Sequence, residues 1–205
     1  MFQRINTGGT QLSDQEIRNC LMIMVNREFF QWADTLSAIQ SFQNCLPLTE
    51  KQSAEQYDME ILVRYFVYRY GDLNLIQGNE DVGDYLTSEL LDIMDGDFNY
   101  KQEKELFEKT FDYLESLLSD DSFRKYDARK NKFTGAFSIS SFESIVVGIS
   151  ENIDSIIAEE TDTIKEKIKS IYSHETYITV TQSNIRPINR LKRLVLLSRD
   201  IFSNG

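Results

Sequence analysis

The chain has 205 residues, of which 41% are hydrophobic, 12% aromatic and 27% charged. That is enough apolar surface for a packed core and too much for wholesale disorder. The formal net charge of −11 repels a phosphate backbone and excludes broad nucleic-acid binding by the whole surface, although a local basic patch is compatible with it. With 9 Gly and 2 Pro, the chain lacks the turn residues of a β-sandwich or barrel. The expected fold is mostly α, a multi-helix bundle with at most one short strand segment near residues 177–180.

Cys20 and Cys45 lack C-x-x-C spacing, and His174 is the single histidine. This inventory excludes Cys/His zinc sites and leaves one imidazole for any nucleophilic triad. No apolar run reaches the ~18 residues of a membrane span, and the N-terminal MFQRINTGG lacks the apolar stretch of a secretion signal. No metal and no membrane partner are expected, and a reducing, cytoplasmic setting is.

In chain order, Asn6 to Thr10 form a turn, because Gly8 and Gly9 supply the positive φ that other residues avoid. Ser13 and Glu16 have the spacing of a capping box, and Leu12 and Ile17 that of a hydrophobic staple. Asp14 and Glu16 add negative charge at the positive end of the helix dipole. Ile17, Cys20, Leu21, Met24 and Val25 follow at helical spacing and predict one buried face, with Cys20 a small core residue.

A second helix is expected over 28–42, stopped before Pro47. A third is expected over 49–70, closed by Gly71, with Ile61, Leu62, Tyr65, Phe66 and Tyr68 buried on two sides. Residues 78–83 read as a polar linker; their glycine spacing resembles a phosphate loop, but Asp84 stands where the lysine belongs. Helices are expected over 85–94 and 100–118. Asp95, Asp97 and Asn99 fail as a calcium loop, since Tyr100 and Leu106 occupy the glycine and glutamate positions, and Gly96 reads as a helix stop.

Residues 124–132 read as a basic loop that also holds Asp127, and 142–157 and 161–171 as helices. His174 belongs to a solvent-facing loop with no partner nucleophile. Residues 177–180 alternate weakly, as a short strand or extended chain. The last helix spans 184–202, with Pro187 in its first turn. Arg186, Arg190 and Arg193 are spaced i, i+4, i+7 there, with Lys192 and Arg199 nearby. This concentration of cations either meets nucleic-acid phosphates or pairs with the protein's own acidic helices.

Several blocks resemble a known family. The run Phe2 to Asn19 is similar to the F-x-x-x-N…G-G…L…E-[IL]-R-N signature of the GmrSD-type domain family, ParB-like proteins of prokaryotic defence. Asp58 to Phe66 resembles the family's D-x-E-[LIV]-x-[LIV]-R-[FY]-F helix, and Val82 to Leu86 with Leu90 to Met94 resembles its Y-L…M segment. Likeness continues more weakly from Phe133 to Phe142 and into the terminal helix.

The resemblance implies an N-terminal α/β half carrying D-G-Q-Q-R, linked to nucleotide hydrolysis or nuclease activity, followed by a helical half. This sequence has no D-G-Q-Q-R. Residues 1–12 are therefore expected to be the remnant of a motif loop from an upstream ParB-like domain, with Met1 an internal methionine, and residues 13–205 to be the helical domain; the alternative is a shortened gene that makes a free-standing helical interaction protein with no nucleic-acid role. No catalytic residue and no enzymatic activity are expected of this chain alone. Nucleotide triphosphate and a divalent metal would belong to the full-length protein.

The implied partners are an upstream ParB-like domain or subunit and DNA. Arg4, Asn6, Gly8, Gly9 and Arg18 are the candidates to complete a nucleotide pocket. The Asn6 amide offers donors and an acceptor, Arg4 and Arg18 bidentate phosphate contacts, and the Gly8–Gly9 turn backbone N–H groups. The same residues also read as a turn cap and surface arginines. Arg186, Arg190 and Arg193 are the candidates for DNA contact.

Overall fold

The computed structural model describes residues 12–182 and 184–203. Among them are twelve α-helices and a two-stranded antiparallel hairpin. The order is α1 (Asp14–Val25), α2 (Arg27–Ser37), α3 (Gln40–Asn44), α4 (Glu50–Ala54), α5 (Tyr57–Tyr70), α6 (Val82–Asp95) and α7 (Tyr100–Leu118). It continues with β1 (Lys125–Asp127), β2 (Lys132–Thr134), α8 (Ile139–Glu151), α9 (Ile153–Ala158), α10 (Thr161–Ile171), α11 (Glu175–Val180) and α12 (Pro187–Phe202). No helix among these residues is long and apolar enough to cross a membrane.

Capping chemistry fixes many of the boundaries. The Glu16 N–H donates to Ser13 Oγ at 3.2 Å and the Ser13 N–H to Glu16 Oε2 at 2.7 Å, the reciprocal box expected at the start of α1. Gly71 and Gly96 end α5 and α6, and Pro187 opens α12.

Three predicted helices are interrupted. The 28–42 segment breaks after α2 because Ile39 is extended. The 49–70 segment breaks at Gln56, whose φ of 55° places it in the left-handed region. The 142–157 segment breaks at Asn152, whose side-chain amide donates to the Gly148 carbonyl at 2.9 Å and so competes with the helix ladder.

Two local expectations are corrected. Residues 177–180 are helical, not a strand: His174 Nδ1 accepts from the Thr176 N–H at 3.2 Å to cap α11. Tyr177 and Val180 then bury at i, i+3 while Ile178 is exposed. The strands lie instead at 125–134, in the segment expected to be a loop, where Tyr126 and Phe133 pair across the ladder.

The core is organised around α8, in which every residue from Ser140 to Ser150 is buried. It crosses α12 so closely that a Cβ on Gly148 would lie 2.1 Å from the Ser198 carbonyl oxygen, a contact only glycine permits. Aromatic rings fill the space between α2, α3, α5 and α7. Phe42 packs edge-on to Phe111 at 4.8 Å, and Tyr65 edge-on to Phe107 at 5.1 Å. Fully burying rings of this size contributes about 1.5–3 kcal/mol each.

Candidate functional site

Helix α1 is folded with its polar side inward. Gln15, Arg18, Asn19 and Met22 are its buried residues, spaced i, i+3, i+4, i+7. Cys20 is exposed, contrary to its expected core position. Ile23, Met24 and Val25 are exposed as well, Met24 at 67%, while Ile17 and Leu21 are half-buried. The predicted periodicity is present, but the face is rotated by roughly half a turn.

The rotation has a chemical cause, since α1 packs on α5 through an ionic seam. Arg18 donates from Nε to Gln15 Oε1 at 2.9 Å and from Nη2 to Glu60 Oε2 at 3.2 Å. Glu60 Oε1 also accepts from Arg64 Nε at 2.9 Å and Nη2 at 2.7 Å. Asn19 donates to Gln56, the left-handed residue before α5, and accepts from Gln15 Nε2 at 2.7 Å.

The seam continues inward. Arg64 Nη1 donates to the Tyr68 hydroxyl at 2.7 Å, and that hydroxyl donates to Glu143 Oε1 at 3.4 Å. Glu143 Oε2 accepts from Arg190 Nε at 3.0 Å. Three guanidinium groups and two carboxylates thus link α1, α5, α8 and α12.

Burial governs the electrostatics. Glu143 has no exposed surface, and burial pushes its carboxyl above the ordinary range against the pull of Arg190 and Arg64. Burial opposes the Arg64 charge, but Tyr68, Glu60 and Glu143 outweigh it and hold that guanidinium above its usual value. Burial lowers Arg18, with Glu60 acting in the opposite sense. Removing any one partner leaves a charge in a medium that cannot solvate it.

Of the residues singled out from sequence, Arg18 is part of the seam, while Arg4, Asn6, Gly8 and Gly9 lie outside the described residues. The proposed 1–12 motif loop lies there too, apart from Leu12. Arg186, Arg190 and Arg193 differ in what they engage. Arg186 is the N-cap of α12; its carbonyl accepts from the Arg190 N–H at 3.1 Å, and its Nη1 donates to the Asn79 carbonyl at 3.2 Å. Arg190 is committed to Glu143, whereas Arg193 is exposed beside Arg186 and Lys192 in a groove of about 640 Å³. His174 is an exposed cap. Among the described residues, no group of His, Cys, Asp and Glu could hold a metal ion.

Sequence reasoning missed Glu143 and Tyr68 as site residues. Their signal was a lone glutamate inside an apolar helix, a position that demands a partner. Two of the blocks that carry the family resemblance, 2–19 and 58–66, meet here through Arg18, Glu60 and Arg64. No protein-family model, curated protein or solved structure matches the chain.

Chemically, the seam offers no nucleophile. It is an ionic strut that sets the angle of α1 against the bundle and presents the apolar side of that helix outward.

Proposed function

We propose that this chain is the helical portion of a GmrSD-like prokaryotic restriction protein, catalytically incomplete alone, which completes or regulates a nucleotide-dependent DNA nuclease. Its partner is a ParB-like domain or subunit carrying D-G-Q-Q-R, which brings the nucleotide triphosphate and divalent-metal chemistry. The reading places the protein in the cytoplasm, beside the DNA on which it acts.

The supporting observation is the inverted α1. A helix that buries Arg18 and Asn19 while leaving Met24 and Val25 outside has an apolar stripe, half-buried at Ile17 and Leu21, that no described element covers at its C-terminal end, and such faces mark contact surfaces. The resembling motif residues Arg4, Asn6, Gly8 and Gly9 directly precede this helix. On this reading, a domain seated on α1 docks on the helix that follows the motif in sequence. Arg186 and Arg193, exposed at the start of α12, are the residues left to meet DNA on this reading.

Co-expression with a D-G-Q-Q-R domain tests it. The expected result is a stable complex with nucleotide hydrolysis that neither part shows alone, lost in the Met24→Glu/Val25→Lys variant while the helical fold persists. No complex and no hydrolysis would overturn the reading. The same bare face also favours a stand-alone helical interaction module without a nucleic-acid role, and a complex that forms without hydrolysis or DNA binding would select it.

A further inference from the structure

One ten-residue segment runs against the charge of the whole chain. Residues 125–134 carry Lys125, Arg129, Lys130 and Lys132 against the single carboxylate of Asp127, in a protein of formal net charge −11. They form the β1–β2 hairpin, with Lys125 opposite Thr134, Tyr126 opposite Phe133 and Asp127 opposite Lys132. Opposed residues share a face. Tyr126 and Phe133 therefore lie on one side, and Lys125 and Lys132 on the other with Thr134 and Asp127.

The aromatic side is anchored to the bundle. The Tyr126 and Phe133 rings are 5.2 Å apart, and Phe133 meets Tyr172 at 6.4 Å. The Tyr172 hydroxyl donates to the Arg124 carbonyl at 2.8 Å, and Arg124 Nη1 donates to the Gly135 carbonyl at 2.8 Å, tying the two ends of the hairpin together. The nearby acids are engaged: Asp120 and Asp121 by Arg124, Asp127 by Lys130, and Glu166 by Lys169. Lys125, Arg129 and Lys132 are exposed and form no ion pair among the described residues.

We propose that this hairpin is a docking surface for duplex DNA, holding backbone phosphates through Lys125, Arg129 and Lys132 without reading sequence. A rigid ribbon with free cations loses little freedom when phosphates arrive, and each contact releases condensed counterions. The two strands lie about 4.8 Å apart, so the ribbon is narrow enough for a B-form major groove about 12 Å wide and about 8.5 Å deep, which admits a two-stranded ribbon. The major groove of duplex RNA is too narrow to enter. The tip, Ala128 to Asn131, has no large apolar side chain to insert into lipid.

The formal net charge of −11 disfavours the duplex over most of the surface, so a local cluster of free cations directs how it approaches. This surface is separate from α1 and from the Arg186–Arg193 groove. It needs no partner domain, so its failure and that of the proposed function are distinguishable.

The test measures anisotropy of a labelled B-form duplex with the full chain across a salt series starting near 50 mM. The Lys125→Ala/Arg129→Ala/Lys132→Ala variant removes only exposed, unpaired side chains, and circular dichroism checks that it folds. The expected result is a log–log salt slope shallower by about 2.7, three phosphates at about 0.9 each, with binding weaker by roughly tenfold or more at the lowest salt. A Lys51→Ala/Lys101→Ala control should leave the slope unchanged. Any of these overturns the proposal: no duplex binding by the unaltered chain, an unchanged slope in the triple variant, an equal loss in the control, or preferential binding of anionic vesicles or duplex RNA. Binding lost in Arg186→Ala/Arg193→Ala but retained by the triple variant overturns it too.

Discussion

The Gly148 N–H donates to Ser198 Oγ at 2.8 Å, a bond between two buried residues at the crossing of α8 and α12. The same crossing leaves no room for a side chain at position 148, because an added Cβ would stand 2.6 Å from the Ser198 carbonyl carbon and 2.9 Å from Phe202. Gly148→Ala is expected to force the two helices apart and destabilise the protein by about 3 kcal/mol. Ser198→Ala keeps the helices in contact and removes the acceptor, for a loss of about 1 kcal/mol. Urea unfolding followed by circular dichroism checks both, and a smaller effect for Gly148→Ala than for Ser198→Ala would contradict the crossing geometry.

The seam predicts strong non-additivity. Glu143→Ala leaves Arg190 without its carboxylate and the buried Tyr68 hydroxyl without its acceptor, and is expected to cost about 3–5 kcal/mol. Glu143→Leu/Arg190→Leu removes both partners of one buried pair, and its cost should fall well below the sum of the single changes. A double variant that loses the full sum would mean that the two side chains do not interact.

Stability should also fall on the alkaline side. Burial pushes the Cys45 thiol up to about 12, from 9.0, and burial likewise raises the phenols of Tyr65, Tyr68 and Tyr172 above 10.0. The unfolded chain therefore gives up these protons first, binds fewer protons than the native state, and becomes favoured as pH rises. The loss begins near pH 9 and steepens past pH 10 as the phenols join. Unfolding midpoints at pH 8 and pH 10.5 check the sign; a flat or rising midpoint would show these groups to be solvated in the fold.

Much of the architecture was legible in the chain because its signals are local. The Ser13–Glu16 box, the Gly71 and Gly96 stops and Pro187 each act within one helical turn, and the 100–118 and 161–171 helices have the boundaries that periodicity predicts. What was not legible depends on distant residues. The inward face of α1 is decided by Glu60, 42 positions away, since a buried guanidinium with a part-buried carboxylate partner outweighs a stripe of modest hydrophobes. Hydrophobic periodicity locates a helix and its stripe but is silent about which stripe finds a partner. The site was visible only in part for the same reason: Arg18 and Arg190 drew attention as cations, but Glu143, which holds Arg190, is separated from it by 47 positions.

The inverted α1 makes a last prediction that separates the two cysteines. Cys20 stands exposed on the same helix as Met24 and Val25, and Cys45 is fully buried, its thiol raised by burial and bonded toward the Phe111 carbonyl at 3.9 Å. Reactivity follows thiolate population and access, so a thiol reagent at pH 8 should modify Cys20 at once and reach Cys45 only as the protein unfolds. Cys20→Ser should abolish the fast phase, and Cys45→Ser should leave it untouched. The rate at Cys20 then reports directly on what covers the helix. A D-G-Q-Q-R domain seated on α1 should slow it severalfold, and the Met24→Glu/Val25→Lys variant should restore the free rate. Two fast thiols in the isolated chain, or none, would mean that α1 presents a different face from the one described.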